Sequence, residues 1–527
     1  MGTFSGGVVA LLLNHRLISL IPPGYQTCIQ RNFKSRRLAL PSTSMTQATT
    51  MPDIRDSSVH RILTAGGPRA VHLVGVCGSG MKALAEVFLG RGWRVSGTDL
   101  QAGSPAGHSL RHRGVTLFAE HSANHIPAEV QLVVYSSAVK PDNPERQWAV
   151  NQRVASCAYH EMLGEMMDWA IGISIAGTHG KSTTTALTGS VLTTSGMEPT
   201  VLVGAEVCGP QANGWTGTGP HLVVESCEYR RHFLSLHPQM AAILGIEADH
   251  FDCFADVAET VQAFHEFALQ LPAEGLLVIH QECESTRLAC RDVAARIETF
   301  SFAGGADWQA VEVEKIPLGH RFQILHRGQE FCRTQLRIPG RHHVLNALAA
   351  VALCHRAGAT AAQIAAGIDQ FHGIRRRFEV LGDVDGVTVI DDYAHHPTAI
   401  RATLQTAREE FGDRRLVCVF QPHQVSRTVG LLGDFATSFS LADEVVIVPV
   451  YGAREVYQKE LLEVSARLAE LITQQGVAAR YSGSLDQTRA SLDDTLRPRD
   501  VLLTLGAGDI DRIHHDLTRR LQRNHTP

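Results

Sequence analysis

The segment IGISIAGTHGKSTTT (171–185) carries the most informative pattern in the sequence. Its first six residues are apolar and rich in isoleucine, which predicts a buried strand, and a helix is predicted from about Ser182. Glycines in the intervening turn let backbone N–H groups converge on phosphate oxygens, and the start of a helix adds partial positive charge. Lys181 suits the β- and γ-phosphates of a nucleotide, and the Ser182 hydroxyl suits Mg²⁺. Ile175 stands where the eight-residue consensus has glycine, so the loop is a shortened variant.

Strands and helices alternate on both sides of this loop. Before it, strands are predicted at 70–76, 93–97 and 132–135, with a helix at 81–89. After it come strands at 222–224, 241–244, 387–390, 416–420, 445–450 and 501–505, and a helix at 344–357. This rhythm is typical of parallel sheets, and no repeat of solenoid length is present. The sequence predicts three α/β units in series, 61–167, 168–372 and 373–527, after a disordered extension over 1–60.

A second glycine turn follows the first predicted strand, and its glycines are Gly75, Gly78 and Gly80. Asp99 comes 24 residues after Gly75 at the end of the next strand, a spacing similar to that of a dinucleotide-binding fingerprint. Cys77 replaces the glycine that lets a pyrophosphate approach the backbone. The turn is therefore interpreted as a site for another phosphate-bearing ligand, with NAD binding and a purely structural turn as the alternatives.

Carboxylates and a histidine follow two predicted strands of the middle unit. Glu225 and Glu228 come after the strand at 222–224, and His250 follows the strand at 241–244. Carboxyl ends of parallel strands share one sheet edge, so these groups are expected beside the phosphate loop. Carboxylate oxygen is a usual ligand of Mg²⁺, whereas imidazole is a less usual one. Both glutamates are therefore candidate metal ligands, with helix capping as the alternative.

The third unit contributes three polar clusters at or near predicted strand ends. Arg375–Arg377 lie near its start, where they form either a solvated turn or a clamp for phosphate or carboxylate. The segments 391–397 and 421–427 each follow a strand and carry histidine, with Tyr393 in the first and Arg427 in the second. Two such clusters at equivalent positions predict one polar rim facing the nucleotide domain.

Composition and charge limit the classes of function. The chain has 527 residues, 44% hydrophobic and 19% charged, which is typical of a soluble globular protein. Five of its 48 basic residues and none of its 53 acidic residues lie within 1–52, so the remainder carries a net charge of −10. An acidic body argues against nucleic-acid binding. The segment 7–21 is too short and interrupted to span a membrane, and scattered cysteines favour a reducing cytoplasm.

Seven motifs, in order, resemble those of the Mur ligase family. They are GTHGKSTTT (177–185), IEADH (246–250), PGRHHVLNALAA (339–350), RRRFE (375–379), DDYAHHPTAI (391–400), FQPHQVSRT (420–428) and LGAGD (505–509). The resemblance covers about 68–515 and implies a Rossmann-like domain for a UDP-sugar, a central P-loop ATPase domain and a C-terminal Rossmann-like domain. It implies that ATP and Mg²⁺ activate the carboxylate of UDP-N-acetylmuramate as an acyl phosphate, which the amine of L-alanine attacks. A cytoplasmic monomer or homodimer is expected.

The resemblance also assigns roles to individual residues. Catalysis is assigned to Lys181, His250, Arg377 and His395. Nucleotide binding is assigned to Gly177, Thr178, His179, Gly180, Lys181, Ser182, Thr183, His343 and Asn346. Metal binding is assigned to Ser182, Glu228 and His250. The UDP-sugar side comprises Gly75, Gly78, Gly80, Asp99, His121, Ser137 and Asn213. The amino-acid side comprises Tyr393, His395, His423 and Arg427.

Several positions depart from the family pattern. Ser226–Arg230 replaces a run with two more acidic residues, Gly245 and His343 each replace asparagine, and Gln424-Val425 replaces an Arg-Tyr pair. No lysine lies between Lys181 and Lys315, which disfavours the family members that use a carbamylated lysine in this domain. Ligation of a murein tripeptide and, in another class, NAD-dependent oxidoreduction remain the alternative functions.

Overall fold

The computed structural model describes residues 58–514, apart from 65, 66, 68, 210–212 and 454–457. Three sheets follow one another along the chain, each flanked by helices, which confirms the expected three-domain α/β fold. No helix in this described part is both long and apolar enough to cross a membrane. Helix α1 (Ser58–Thr64) begins inside the segment 1–60, and its residue Val59 packs into the hydrophobic core of the first domain. The predicted disorder is therefore wrong for residues 58–60. The rest of that extension lies outside the described residues.

The first sheet is fully parallel, with strand order β3-β2-β1-β4-β5. Its strands are β1 (Ala70–Val74), β2 (Arg94–Thr98), β3 (Thr116–Phe118), β4 (Leu132–Tyr135) and β5 (Ala155–Ala158). Its helices are α2 (Ser79–Gly90), α3 (Pro105–His112), α4 (Pro144–Gln152) and α5 (Tyr159–Met167). All five residues of β1 are buried, as expected for a central strand covered on both faces.

The second sheet has ten strands in the order β15-β14-β13-β12-β11-β10-β6-β9-β7-β8. The strands are β6 (Ile171–Ala176), β7 (Thr200–Leu202), β8 (Gly214–Trp215), β9 (His221–Glu225), β10 (Met240–Ile243), β11 (Leu276–His280), β12 (Arg296–Ser301), β13 (Trp308–Ile316), β14 (Gly319–His326) and β15 (Gln329–Leu336). The helices are α6 (Lys181–Thr194), α7 (Val257–Ala268), α8 (Glu284–Ala289), α9 (Arg341–Arg356) and α10 (Ala361–Asp369). Its centre is parallel, whereas β13, β14 and β15 form antiparallel hairpins that the sequence analysis did not predict.

The third sheet has six strands in the order β16-β17-β21-β18-β19-β20, and β16 alone runs antiparallel to its neighbour. The strands are β16 (Glu379–Val384), β17 (Val387–Asp392), β18 (Leu416–Phe420), β19 (Glu444–Ile447), β20 (Ala478–Tyr481) and β21 (Val501–Leu505). The helices are α11 (Pro397–Phe411), α12 (Val425–Gly430), α13 (Leu432–Thr437), α14 (Gln458–Gln474) and α15 (Leu485–Thr495). Loops at the carboxyl ends of β17 and β18 face those of β6 and β10, which places two sheet edges around one cleft.

Candidate functional site

The phosphate loop connects β6 directly to α6. Gly177 and Gly180 have φ angles of 129° and 80°, which L side chains rarely adopt. A Cβ on Gly180 would lie 2.5 Å from Oδ1 of Asn346, so the loop and α9 are in close contact. The Thr178 backbone N–H donates to the Gly245 carbonyl over 2.8 Å, which anchors the loop to the end of β10. Glycine is therefore required for both backbone conformation and space.

Lys181 is held by a buried carboxylate at the end of the loop. Its Nζ donates to Oε1 and Oε2 of Glu228 over 3.1 and 3.0 Å, and also to the Gly177 carbonyl. His250 Nε2 lies 3.5 Å from Oε1 of the same carboxylate. Burial alone would raise the pKa of Glu228, but the Lys181 charge and the His250 contact outweigh it and lower that pKa. Glu228 is therefore an anion paired with a cation.

Oxygen atoms suited to a hard cation lie on the same edge. Ser182 Oγ donates to Glu225 Oε2 over 2.8 Å, and the Gly204 N–H donates to the same oxygen over 2.8 Å. Glu228 precedes a short 3₁₀ turn, but its carboxylate makes no capping hydrogen bond. The helix-capping alternative therefore fails for Glu228. The Ser182, Glu225 and Glu228 oxygens have the chemistry that Mg²⁺ prefers, and His250 offers a nitrogen beside them.

A second buried ion pair connects the two facing edges. Arg427 on α12 donates from Nε to Oδ1 of Asp249 over 2.7 Å, and Nη1 of Arg427 lies 3.1 Å from Nδ1 of His423. Burial would raise the pKa of Asp249, but the Arg427 charge dominates and holds it far below its ordinary value. Burial and the nearby Arg427 and His423 charges hold the pKa of His395 well below its ordinary value, so this imidazole is neutral.

Aromatic and guanidinium groups line the third-domain side. Tyr393 lies under two cations, with the guanidinium carbons of Arg376 and Arg377 at 5.4 and 5.0 Å from its ring centroid. His395 Nδ1 lies 2.8 Å from the Tyr393 carbonyl oxygen, and its ring centroid is 5.7 Å from that of His423. Arg376 also donates to Asp391 and to the carbonyls of Gly506 and Gly508, which stabilises the loop after β21.

The residues assigned to adenine lie on α9, next to the phosphate loop. Asn346 Nδ2 lies 3.4 Å from Nδ1 of His343, and both side chains are buried. Burial and the charges of His342 and Arg377 hold the pKa of His343 well below its ordinary value. His343 is therefore neutral in the folded protein.

The residues assigned to the UDP-sugar lie along the carboxyl edge of the first sheet, except for Asn213, which precedes β8 in the second domain. Asp99 Oδ2 accepts from the Cys77 N–H over 2.9 Å, so this carboxylate stabilises the glycine turn itself. His121 Nδ1 lies 2.8 Å from Thr98 Oγ1 and 2.9 Å from Glu145 Oε2, which fixes the ring in a partly buried network. Ser137 lies in the turn after β4.

A cavity of about 610 Å³ joins the phosphate loop to the third domain. Of the assigned residues, it is lined by Thr178, His179, Gly180, Lys181, Ser182, Asn213, His250, Arg377, Tyr393, His395, His423 and Arg427. Glu228 reaches it through Lys181. The first domain contributes Ser79, whereas Gly75, Gly78, Gly80, Asp99, His121 and Ser137 do not line it, nor do Gly177, Thr183, His343 and Asn346.

Four groups at this site were not selected from the sequence. Asp249 and Tyr229 line the cavity, as does His396, and Glu247 contacts both His179 and His396. Three of the four lie inside motifs quoted above, so their positions were visible in the sequence. What was missing was the direction of each side chain.

Three family models match consecutive parts of the chain. They are the catalytic domain of the Mur ligase family at 70–169, the Mur ligase middle domain at 175–354 and the glutamate ligase domain of Mur ligases at 376–508. The chain is 41% identical to the UDP-N-acetylmuramate–L-alanine ligase of Salinibacter ruber, across 85% of this chain and 94% of that protein. It is 39% identical to the ligase of the same name from Alkaliphilus metalliredigens, across 84% and 95%.

Solved structures of ligases have a fold similar to that of this chain. The fold is similar to that of UDP-N-acetylmuramate–alanine ligase from Thermotoga maritima, with a TM-score of 0.73, 28% identity and coverage of 86% of this chain and 99% of that one. A murein peptide ligase from Psychrobacter arcticus has a TM-score of 0.67, 25% identity and coverage of 86% and 98%. These names are ligase names, which counts against the oxidoreductase alternative.

Proposed function

The chain belongs to the Mur ligase family, and we propose that it joins L-alanine to UDP-N-acetylmuramate in an ATP-dependent step of peptidoglycan precursor synthesis. One observation carries this proposal. The cavity combines a phosphate loop on one wall with arginine, histidine and tyrosine side chains of another domain on the opposite wall. Such a cleft can hold a nucleotide phosphate, a carboxylate and an amine together.

The chemistry follows from the difficulty of acylating an amine with a carboxylate. The substrate carboxylate oxygen attacks the γ-phosphorus, the bond to ADP breaks, and an acyl phosphate forms. The amine then attacks the acyl carbon, phosphate leaves with the C–O electron pair, and the nitrogen loses a proton. Negative charge accumulates on phosphate oxygens in the first step, so fixed cations that face them lower the barrier.

Individual side chains have separate roles in this scheme. Lys181 exchanges its Glu228 partner for phosphate oxygens when ATP binds, because the Glu228 carboxylate and the phosphates accept hydrogen bonds from the same ammonium group. Arg377 neutralises charge on the carboxylate and the departing phosphate from the opposite wall, and Arg427, paired with Asp249, adds hydrogen-bond donors there. His395 is neutral, so it does not repel an incoming ammonium group and can accept a hydrogen bond from it.

A magnesium ion fits the oxygen atoms on the phosphate-loop edge. Ser182 and Glu228 would hold it, with Glu225 and His250 next to them. When bound, Mg²⁺ supplies charge neutralisation on the β- and γ-phosphates. We place the UDP part of the substrate along the first sheet and adenine near His343 and Asn346.

We place the domains at 61–167, 168–372 and 373–527, and we infer a monomer or homodimer. The ten described cysteines are all free thiols, as is usual in a reducing compartment, which supports a cytoplasmic location.

Amino-acid-dependent release of phosphate tests the function. Protein incubated with ATP, Mg²⁺ and UDP-N-acetylmuramate is expected to release phosphate when L-alanine is added and to show only background release without it. A product mass corresponding to the alanyl adduct should appear in parallel. Phosphate release with the murein tripeptide but not with L-alanine would instead assign the recycling reaction. Release with neither would contradict ligation.

A further inference from the structure

His179, Glu247 and His396 form a compact cluster on the wall of the cavity. His179 belongs to the phosphate loop, Glu247 follows β10, and His396 precedes α11 in the third domain. His179 Nε2 lies 3.6 Å from Glu247 Oε2, and His396 Nδ1 lies 3.7 Å from the same oxygen. One ligand atom of each residue lies within 4.8 Å of the other two.

These separations are close to those of a metal site. Zinc–nitrogen and zinc–oxygen bonds are about 2.0–2.1 Å long, so ligand atoms of a tetrahedral site lie about 3.3 Å apart. The two distances to Glu247 exceed that value by a few tenths of an ångström and all three separations lie within 4.8 Å, so side-chain rotations would bring the ligand atoms to bonding distance. Two imidazoles and one carboxylate that leave one position open form a familiar zinc ligand set.

The hydrogen-bonding partners favour metal ligation as well. His396 Nε2 lies 3.1 Å from the Ala248 carbonyl oxygen, so this nitrogen carries the proton and Nδ1 presents its lone pair towards Glu247. Thr398 Oγ1 donates to Glu247 Oε2 over 2.7 Å, which orients the carboxylate. Contacts of both kinds support ligands in known metal sites. One hydrogen bond competes, since the Thr398 N–H donates to His396 Nδ1 over 3.3 Å.

One nitrogen of the cluster is buried without a hydrogen bond. His179 Nε2 is buried and has no hydrogen-bond partner among the described residues. A cation held between the three side chains would give this buried nitrogen a partner.

We propose that His179, Glu247 and His396 form a site for a borderline transition-metal cation of the Zn²⁺ class. It differs in chemistry from the oxygen atoms of Ser182, Glu225 and Glu228, which suit Mg²⁺. His179 and His396 line the cavity. Because His396 belongs to the third domain and the other two ligands to the second, the bound ion fastens those domains together across the phosphate loop.

Zinc content of the full-length protein tests the site. Protein dialysed against Zn²⁺ without ATP or Mg²⁺ is expected to retain one zinc ion per chain, and Co²⁺ in its place should give the visible absorption of a four-coordinate site. E247Q keeps the shape of the side chain and should weaken zinc binding by at least about tenfold. H179A removes a partly exposed ligand and should do the same, which guards against misfolding of either variant.

Two further variants locate the ion. H237A removes another partly exposed histidine, whose Nδ1 lies 3.0 Å from Oδ1 of Asp168, and should leave the zinc content unchanged. E228Q should also retain zinc, because Glu228 is outside the cluster. The proposal would be overturned if E228Q lost zinc while folded E247Q and H179A kept it. It would also be overturned if the wild-type protein did not bind one zinc ion per chain. Neither outcome bears on the ligase reaction, which is measured separately.

Discussion

Arg427 and Asp249 form a buried ion pair, with 2.7 Å between Nε and Oδ1. Asp249 follows β10 of the second sheet, and Arg427 lies on α12 of the third domain. Both side chains are almost inaccessible to solvent, so either charge would be poorly hydrated if its partner were lost. The pair therefore joins two domains at the wall of the cavity.

We expect D249N to destabilise the protein by about 3–5 kcal/mol, because it leaves the Arg427 charge buried without compensation. Chemical denaturation measures the change. The double variant D249N/R427Q should lose less than the sum of the two single changes, by roughly 0.5–3 kcal/mol.

A surface pair provides the control for this prediction. Arg231 Nη1 lies 2.9 Å from Glu266 Oε2, a similar distance, but both side chains are about one-third exposed. R231Q should change stability by less than about 1 kcal/mol. Strict additivity in the D249N/R427Q cycle would show that the two buried charges do not interact.

K181A should reduce L-alanine-dependent phosphate release about 10²-fold or more, because a fixed charge beside the transferring phosphate is lost. Steady-state phosphate assays measure the effect. The exposed Lys140 is the matched control. K140A should retain full turnover, which would show that removing a lysine charge elsewhere in the chain does not lower activity. Equal activities of wild type and K181A would remove Lys181 from the mechanism.

Much of the fold could be predicted, because its central strands are covered on both faces. The segments 132–135, 171–176, 416–420 and 501–505 were predicted with their observed bounds. The hairpins of β13–β15 were missed because β13 is partly polar, with alternating burial, and no helix interrupts the run. The turn between β14 and β15 has positive φ at both Arg327 and Gly328, and arginine is not the residue that usually signals such a turn.

The candidate site could be predicted less completely. Lys181 and His250 follow from their places in the chain, since strand ends meet at one edge. The same logic cannot rank Glu247, Asp249 and His250, which are close neighbours in one loop. His250 has a φ of 53°, a left-handed turn of the backbone, and Glu247, Asp249 and His250 contact different partners, which are His396, Arg427 and Glu228. That turn depends on packing and was not visible in the sequence.

G180A should destabilise the protein and weaken ATP binding for two reasons. Gly180 has a φ of 80°, and a Cβ would lie 2.5 Å from the Asn346 side chain. Gly196 separates these effects, because its φ is 75° and a Cβ there would contact nothing within 4 Å. Both variants should lose about 1–2 kcal/mol from backbone strain. Calorimetry with ATP should show weaker binding only for G180A. An equal loss of ATP affinity in both variants would exclude the contact with Asn346 as the cause.

Stability should fall as the solution is acidified from about pH 6.5 towards pH 4, and His396 contributes to this loss. Burial lowers its folded-state pKa to about 4, whereas an unfolded chain has a histidine pKa of about 6.5. Between these values the unfolded state binds the extra proton, so acid favours unfolding and stability rises with pH. The contribution is complete above pH 6.5, and roughly 2 kcal/mol of it is lost between pH 7 and pH 5. Thermal unfolding at a series of pH values should show a shallower slope for H396Q than for wild type. An unchanged slope for H396Q would mean that folding does not lower the pKa of His396.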